Sequence, residues 1–327
     1  MATKTAIVTG ATGFVGANLA QRLLQDGHEV HLLLRHGYAP WRIAAIRSAV
    51  QRHEVDLGDS QELERVVAAI RPDWVFHLAV HGAYSSQGDL HQMVATNIVG
   101  TINLVQAAQR AGVAAFVNTG SSSEYGFKDH APPEDTWLEP NSDYAVTKAA
   151  ATLYCRHAAR RGGLLLPTLR LYSVYGPYEE PARLLPSIVV HGLRGALPPL
   201  VSPDIARDYV YIDDVIDAYL LAATAPNQVP GAVYNVGTGS QTSLGDVVST
   251  ARRVLAVAAE PRWGSMPNRG WDTNVWVANN REARRALGWR PQHTFEDGLR
   301  RHIRWFQEHP DLLRHYEDSL GIVETAR

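Results

Sequence analysis

Gly10-Ala11-Thr12-Gly13-Phe14-Val15-Gly16 stands directly behind the apolar run Ala6-Ile7-Val8-Thr9 and opens a stretch of helical period from Phe14 to Gln25. A glycine turn between strand and helix lets backbone approach a pyrophosphate, and the exposed N–H groups and positive end of the helix stabilise its charge. The spacing is GxxGxxG rather than GxGxxG, and a glycine triplet alone also fits a plain strand–turn–helix. Its place, with a strand before and a helix after, favours the anion site over the plain turn.

The same alternation continues outward. Strand-length apolar runs at Val30–Leu34, His53–Asp56, Trp74–Ala79, Ala115–Thr119 and Leu165–Leu171 are separated by helical stretches at Ser60–Ile70, Asp89–Ala111 and Asp143–Arg161. Repeated βα units predict an α/β fold, a doubly wound and mainly parallel sheet of the Rossmann type. After Leu171 the pattern loosens. A strand and helix over Asp208–Ala223, a strand at Val233–Val236, and helices at Leu244–Ala256 and Phe295–Glu308 predict a smaller C-terminal α/β lobe. The division expected is a dinucleotide-binding domain over 1–171 and a substrate lobe over 172–327, with some later segments returning to the first domain. Asp311 to Arg327 is charged and shows no core face.

Composition narrows the function. With 327 residues, 45% hydrophobic, 20% charged and a formal net charge of -2, the chain has the balance of a globular protein and no basic block for nucleic acid. Cys155 is the one cysteine, which excludes an intrachain disulfide and a four-cysteine metal cage and fits a reducing compartment. The N-terminus reads straight into the first strand without a signal-peptide pattern, and no window has the length of a membrane span, so a cytoplasmic protein is expected. The 14 histidines form no HExxH, so no metal is expected. Gly120-Ser121-Ser122-Ser123 does not supply the GxSxG of a serine hydrolase.

Sites of this kind commonly end the second strand in an acid that accepts from the adenosine ribose. Here that position is Leu34, followed by Arg35-His36. A missing carboxylate removes repulsion toward a 2'-phosphate, and an arginine fork can pair with it, which predicts NADP, with NAD as the other option. Asp56 has two readings, as acceptor for the adenine amino group or as cap of the helix near Ser60. Tyr144 and Lys148 lie four apart on one face of a predicted helix. An ammonium beside a phenol favours the phenolate, so the expectation is a tyrosine acidified by its lysine. With three lysines and 13 tyrosines, a chance Tyr-x-x-x-Lys has a probability of about 0.12. Upstream, Thr119-Gly120-Ser121-Ser122-Ser123-Glu124-Tyr125-Gly126 places hydroxyls at a strand end, where open α/β sheets hold ligands. The competing reading is a serine turn that binds its own backbone. Arg207 and Arg269 are candidate diphosphate clamps through bidentate guanidinium contacts.

The glycine turn, serine turn and YxxxK together resemble the extended short-chain dehydrogenase/reductase family, in its nucleotide-sugar epimerase, dehydratase and reductase branch. His77-Leu78-Ala79, Thr96-Asn97-Ile98-Val99-Gly100-Thr101, Arg170 to Pro177, Arg207 to Val215 and Tyr234-Asn235-Val236-Gly237 extend the likeness over nearly the whole chain. The resemblance implies that Tyr144 is the acid/base, that Lys148 holds the nicotinamide ribose, and that Ser121, or Ser122 in its place, bonds the reacting sugar oxygen. It implies a coenzyme held by Gly10, Thr12, Gly13, Phe14, Val15, Gly16, Arg35, His36, Asp56, Leu57, Leu78, Ala79, Asn97 and Tyr172. Ser123 and Ser173 would touch a nucleoside-diphosphate sugar. The acid pair of the 4,6-dehydratases falls on Ser122 and Ser123, with Glu124 one place late, which argues against elimination. The expectation is an NADP-dependent reductase of a 4-keto-6-deoxysugar nucleotide. The alternatives are a coenzyme-retaining epimerase and, behind it, a dehydratase or a non-catalytic dinucleotide sensor. By analogy, helices from Asp89 and Asp143 would pair with their copies in a homodimer.

Overall fold

The computed structural model describes residues 2–84, 87–267, 270 and 273–322. In chain order the first half runs β1 (Thr5–Thr9), α1 (Phe14–Gln25), β2 (Glu29–Leu34), β3 (Gln51–Glu54), α2 (Ser60–Ile70), β4 (Trp74–His77), α3 (Leu90–Met93), α4 (Gly100–Ala111), β5 (Ala115–Ser121), α5 (Asp143–Gly162) and β6 (Thr168–Leu171). The second half runs β7 (Ser173–Tyr175), α6 (Leu184–Leu193), β8 (Ala206–Arg207), β9 (Tyr209–Tyr211), α7 (Ile212–Thr224), β10 (Val233–Val236), β11 (Thr242–Ser243), α8 (Leu244–Leu255), α9 (Phe295–Glu308) and α10 (Pro310–Leu320).

Seven strands form one parallel sheet in the order β10-β6-β5-β4-β1-β2-β3. The chain winds outward from β1 in both directions, which puts the switch point, the usual ligand crevice, at the C-terminal ends of β1 and β4. Side chains alternate between two cores. Val8, Leu32, Phe76 and Val117 face the layer of α1 and α7, while Ile7, Leu33, Val75 and Phe116 face the layer of α2, α4 and α5. Burial on both faces is why these strands read as continuous apolar runs. Each such side chain contributes about 2 kcal/mol by leaving water. Two small sheets pair β7 with β9 and β11 with β8, while β10 returns to the main sheet beside β6.

Three elements depart from the reading of the sequence. The helix expected over Asp89–Ala111 is divided into α3, a π-helical stretch Val94–Val99, and α4. The β-branched cluster there is a weak helix former, and the wider turn brings the Asn97 amide onto the backbone of His81. α6 was not expected: its sequence, LLPSIVVHGL, is apolar on nearly every side because the helix is buried, so no amphipathic period marks it. Pro186 is tolerated in its first turn, where the N–H has no helical acceptor. The tail has a core face after all. α10 starts with Pro310 and buries Tyr316 completely, with ring centroids 4.9 Å from Phe306 and 5.9 Å from Trp41.

Candidate active site

The glycine turn is built by contact rather than by flexibility alone. Gly10 has φ +70, and a Cβ there would lie 2.5 Å from the Leu78 carbonyl carbon; one on Gly16 would lie 2.3 Å from the Gly10 oxygen. β1 and the end of β4 are therefore pressed together. Thr9 completes the join, its Oγ1 accepting from the N–H groups of Leu78 and Ala79. α1 begins at Gly13 with no capping side chain and no acid in its first turn, so Phe14 and Val15 open a helix end whose N–H groups suit an anion. These residues fit a dinucleotide pyrophosphate. Buried Arg42 braces the turn from outside, donating to the Thr12 and Tyr178 carbonyls and to Glu180.

Farther along the crevice, Leu34 is buried and Arg35 and His36 are exposed. Leu34 pairs in register with Glu54, whose carboxylate meets His36 Nδ1 at 3.2 Å. The sequence reading ended the third strand at Asp56 and so missed an acid beside the second strand's end. Asp56 itself accepts from Gly58 N at 2.8 Å, and the cap of α2 is Asp59, which overturns the capping alternative for Asp56. Leu57 packs at Gly100. Asn97 is a brace: its amide grips both backbone groups of His81 and donates to Thr147 Oγ1 of α5. His77, bonded to Thr9 and Thr101 and buried, is pushed down to about 3, so it knits β1, β4 and α4 as a neutral ring.

At the catalytic end the structure brings Ser121, Tyr144 and Lys148 together. Ser121 closes β5 and bears on the phenol of Tyr144, which lies in the first turn of α5 behind the cap Ser142. Lys148 is not among the groups that shift the phenol most. Burial raises Tyr144 above the ordinary tyrosine value; Ser121 and Arg183 oppose the rise, and Glu124 and Tyr84 add to it. Lys148, lowered by its own burial, instead donates to the Thr119 carbonyl at 2.5 Å. The ammonium is tied to β5.

The serine turn is held from below by a carboxylate that the sequence reading set aside. Glu124 accepts from Ser121 N, Thr152 Oγ1 and Arg170 Nε, and Glu124 and Arg170 are 0% and 1% exposed. With its neighbours Ser121 and Ser123 it forms a capping box. Glu124 is thus structural. Ser122 accepts from the indole N–H of Trp276, and Tyr172, whose buried hydroxyl has no partner among the described residues, lines a narrow pocket with Ser122, Lys128, His130 and Trp276. Ser123 donates its N–H to Ser121 Oγ. Ser173 starts β7 and donates to the Asp208 carbonyl. Arg207 bonds the Ala206 and Thr273 carbonyls beside the Trp276 ring, and Arg269 lies outside the described residues. Buried Asp208, accepting from Thr238, Gly239 and Ala278, locks the floor of this wall. Among the described residues no His/Cys/Asp/Glu cluster could hold a metal, and no helix is long and apolar enough to cross a membrane.

A parallel sheet with a glycine turn at its switch point and a Ser-Tyr-Lys set at the next strand end defines a dinucleotide-dependent enzyme. Residues 6–237 match the model of the NAD dependent epimerase/dehydratase family, and the chain belongs to that family. It is 32% identical to a UDP-glucose 4-epimerase of Mycolicibacterium smegmatis over 320 residues, covering 92% of this chain and 98% of that one. A dTDP-glucose 4,6-dehydratase of Streptomyces griseus is 31% identical over 318 residues, with 93% and 94% covered. The fold matches the UDP-glucose 4-epimerase of Thermus thermophilus in complex with NAD at a TM-score of 0.81 and 28% identity, over 93% of this chain and 99% of that one.

Proposed function

We propose that the protein is a coenzyme-retaining nucleotide-sugar 4-epimerase. The observation that carries the reading is the state of the serine turn. Elimination of water would need a free acid and base there, and the turn offers Ser122, Ser123 and a Glu124 already engaged by Ser121, Thr152 and Arg170. What remains is one phenol and one hydroxyl, enough to move a proton off a sugar hydroxyl and back. The relatives favour the same choice over the 4-keto reductase expected from Arg35, which is given up in favour of the epimerase.

NAD, when bound, supplies a reversible hydride acceptor. The chain's own residues do the rest. Gly10, Thr12, Gly13, Gly16 and the first turn of α1 would hold the pyrophosphate, with Arg35, His36 and Asp56 toward the adenosine. The NADP expectation weakens because Glu54 sets a carboxylate beside the end of β2, which disfavours a 2'-phosphate there, and the Thermus relative binds NAD. Ser121 would orient the sugar hydroxyl, Tyr144 would take its proton as phenolate and return it as phenol, and Lys148, anchored on Thr119, would hold the nicotinamide ribose. Arg207, Ser123 and Ser173 would line the nucleoside-diphosphate side, within the lobe over 172–327. The partner would be a second copy. Leu90 and Val94, four apart, and Val146 and Leu153, seven apart on α5, expose 44%, 38%, 50% and 56% of their surface, an apolar face of the kind helices bury in pairs.

The test is Tyr144→Phe. Interconversion of UDP-glucose and UDP-galactose should fall by about a hundredfold or more while NAD binding persists. Unchanged turnover would end the proposal.

A further inference from the structure

Residues 176–183, between β7 and α6, are tied to both walls of the crevice. On the side of β1, the Pro177 carbonyl accepts from Asn18 of α1 at 2.9 Å, and the Tyr178 carbonyl accepts from Arg42 at 2.7 Å. The same guanidinium reaches the Thr12 carbonyl of the glycine turn at 3.3 Å and Glu180 at 2.9 Å. On the side of β4, Arg183 donates to the Ala83 carbonyl at 2.9 Å. The loops after β1 and β4 diverge from the close contact of Gly10 with Leu78, so a segment bonded to both spans the switch-point crevice. The C-terminal helices hold the same segment: Tyr316 of α10 donates to the Glu179 carbonyl, and the Tyr178 and Trp305 ring centroids are 5.0 Å apart.

Two features oppose the closed arrangement. Tyr178 has φ +68, a left-handed backbone that a residue with a bulky side chain disfavours. Glu179 is buried, its Oε2 has no hydrogen-bond partner among the described residues, and burial pushes its carboxyl up to about 8. The ionisable groups that face it are Arg42, Glu180 and Arg183, with Tyr84 after β4, Tyr175 of β7 and Tyr316 of α10. Lifting the segment relieves the strain and returns the acid to water, while the hydrogen bonds to Asn18, Arg42 and Tyr316 resist it. That balance suits a part that opens locally while the rest stays folded.

We propose that residues 176–183 are a strap that must lift for the coenzyme to enter or leave, bolted shut by Asn18, Arg42 and Tyr316. The inference rests on the proposed function only in taking the glycine turn as the coenzyme site. Every bond named joins protein to protein, so the bolts slow entry and exit alike and leave affinity nearly unchanged. Retention of the coenzyme then has its cause in rates.

The test loads the full chain with NAD and follows its exchange for added NADH by fluorescence, without sugar, so a failed epimerase reading leaves the result standing. Asn18→Ala with Tyr316→Phe should quicken exchange about tenfold. Uptake of NADH by the full chain without coenzyme should speed up equally, with the dissociation constant held within about threefold. Closing takes up a proton at Glu179, so exchange by the unaltered chain should quicken severalfold from about pH 6 to about pH 8, and Glu179→Gln should remove that rise. Unchanged exchange in the double variant overturns the proposal. Faster exchange with uptake unmoved and affinity lost in proportion marks a damaged site and overturns it too. So does a flat profile in the unaltered chain, or a rise with pH that survives in Glu179→Gln, and this arm decides the matter if the double variant does not fold.

Discussion

Replacing Glu124 with Ala removes the acceptor on which the serine turn rests. The carboxylate binds three donors, Ser121 N at 2.8 Å, Thr152 Oγ1 at 3.0 Å and Arg170 Nε at 2.8 Å. Arg170 would keep the Tyr125 hydroxyl and the Glu134 carbonyl but lose its buried counter-charge. An uncompensated buried charge of this kind costs about 3–5 kcal/mol. That is a large part of a usual stability of about 5–15 kcal/mol. In urea, with a slope of about 2–3 kcal/mol per molar, the midpoint should fall by about 1–2 M. Tryptophan fluorescence reads the transition. The double variant Glu124→Leu/Arg170→Met should recover most of the loss, because replacing a buried pair by apolar side chains is close to neutral. A loss below about 1 kcal/mol for Glu124→Ala, or a double variant no better than the single one, would refute the assignment of Glu124 as a buried structural partner.

Glu179 makes stability depend on pH. Its folded-state carboxyl lies near 8, above the unfolded value, so the folded state holds the extra proton and stability declines as pH rises from about 5 through 8. Glu179→Gln should flatten that decline in chemical-denaturation curves recorded at each pH. Gly10→Ala, strained at φ +70 and 2.5 Å from the Leu78 backbone, should abolish NAD binding measured by calorimetry and lower the unfolding midpoint. Leu153→Asp on the apolar face of α5 should convert a dimer to a monomer in sedimentation equilibrium, with little change in unfolding of the monomer.

Much of the molecule was readable where local rules and the fold agree. α1, α2, β10 and α9 fall on the residues that periodicity and caps assign, and the glycine turn and Tyr144-Lys148 sit where a parallel sheet places its ligands. The illegible parts depend on neighbours distant in the chain. α6 has no polar face to betray it, and α10 becomes a core element only because Trp41, Trp305 and Phe306 surround Tyr316. At the site, helical spacing put Lys148 beside Tyr144 but could not show that its amine reaches back to Thr119. Glu54 was missed because its place beside Leu34 comes from strand register.

The central claim is that hydride and proton leave one sugar and return to the same sugar. UDP-glucose deuterated at C4, incubated with the protein and NAD, tests it by mass spectrometry and NMR of the product. The account predicts UDP-galactose that keeps the deuterium at C4, with no net change in reduced coenzyme. Deuterium lost from C4, or reduced coenzyme accumulating in step with product, would contradict it.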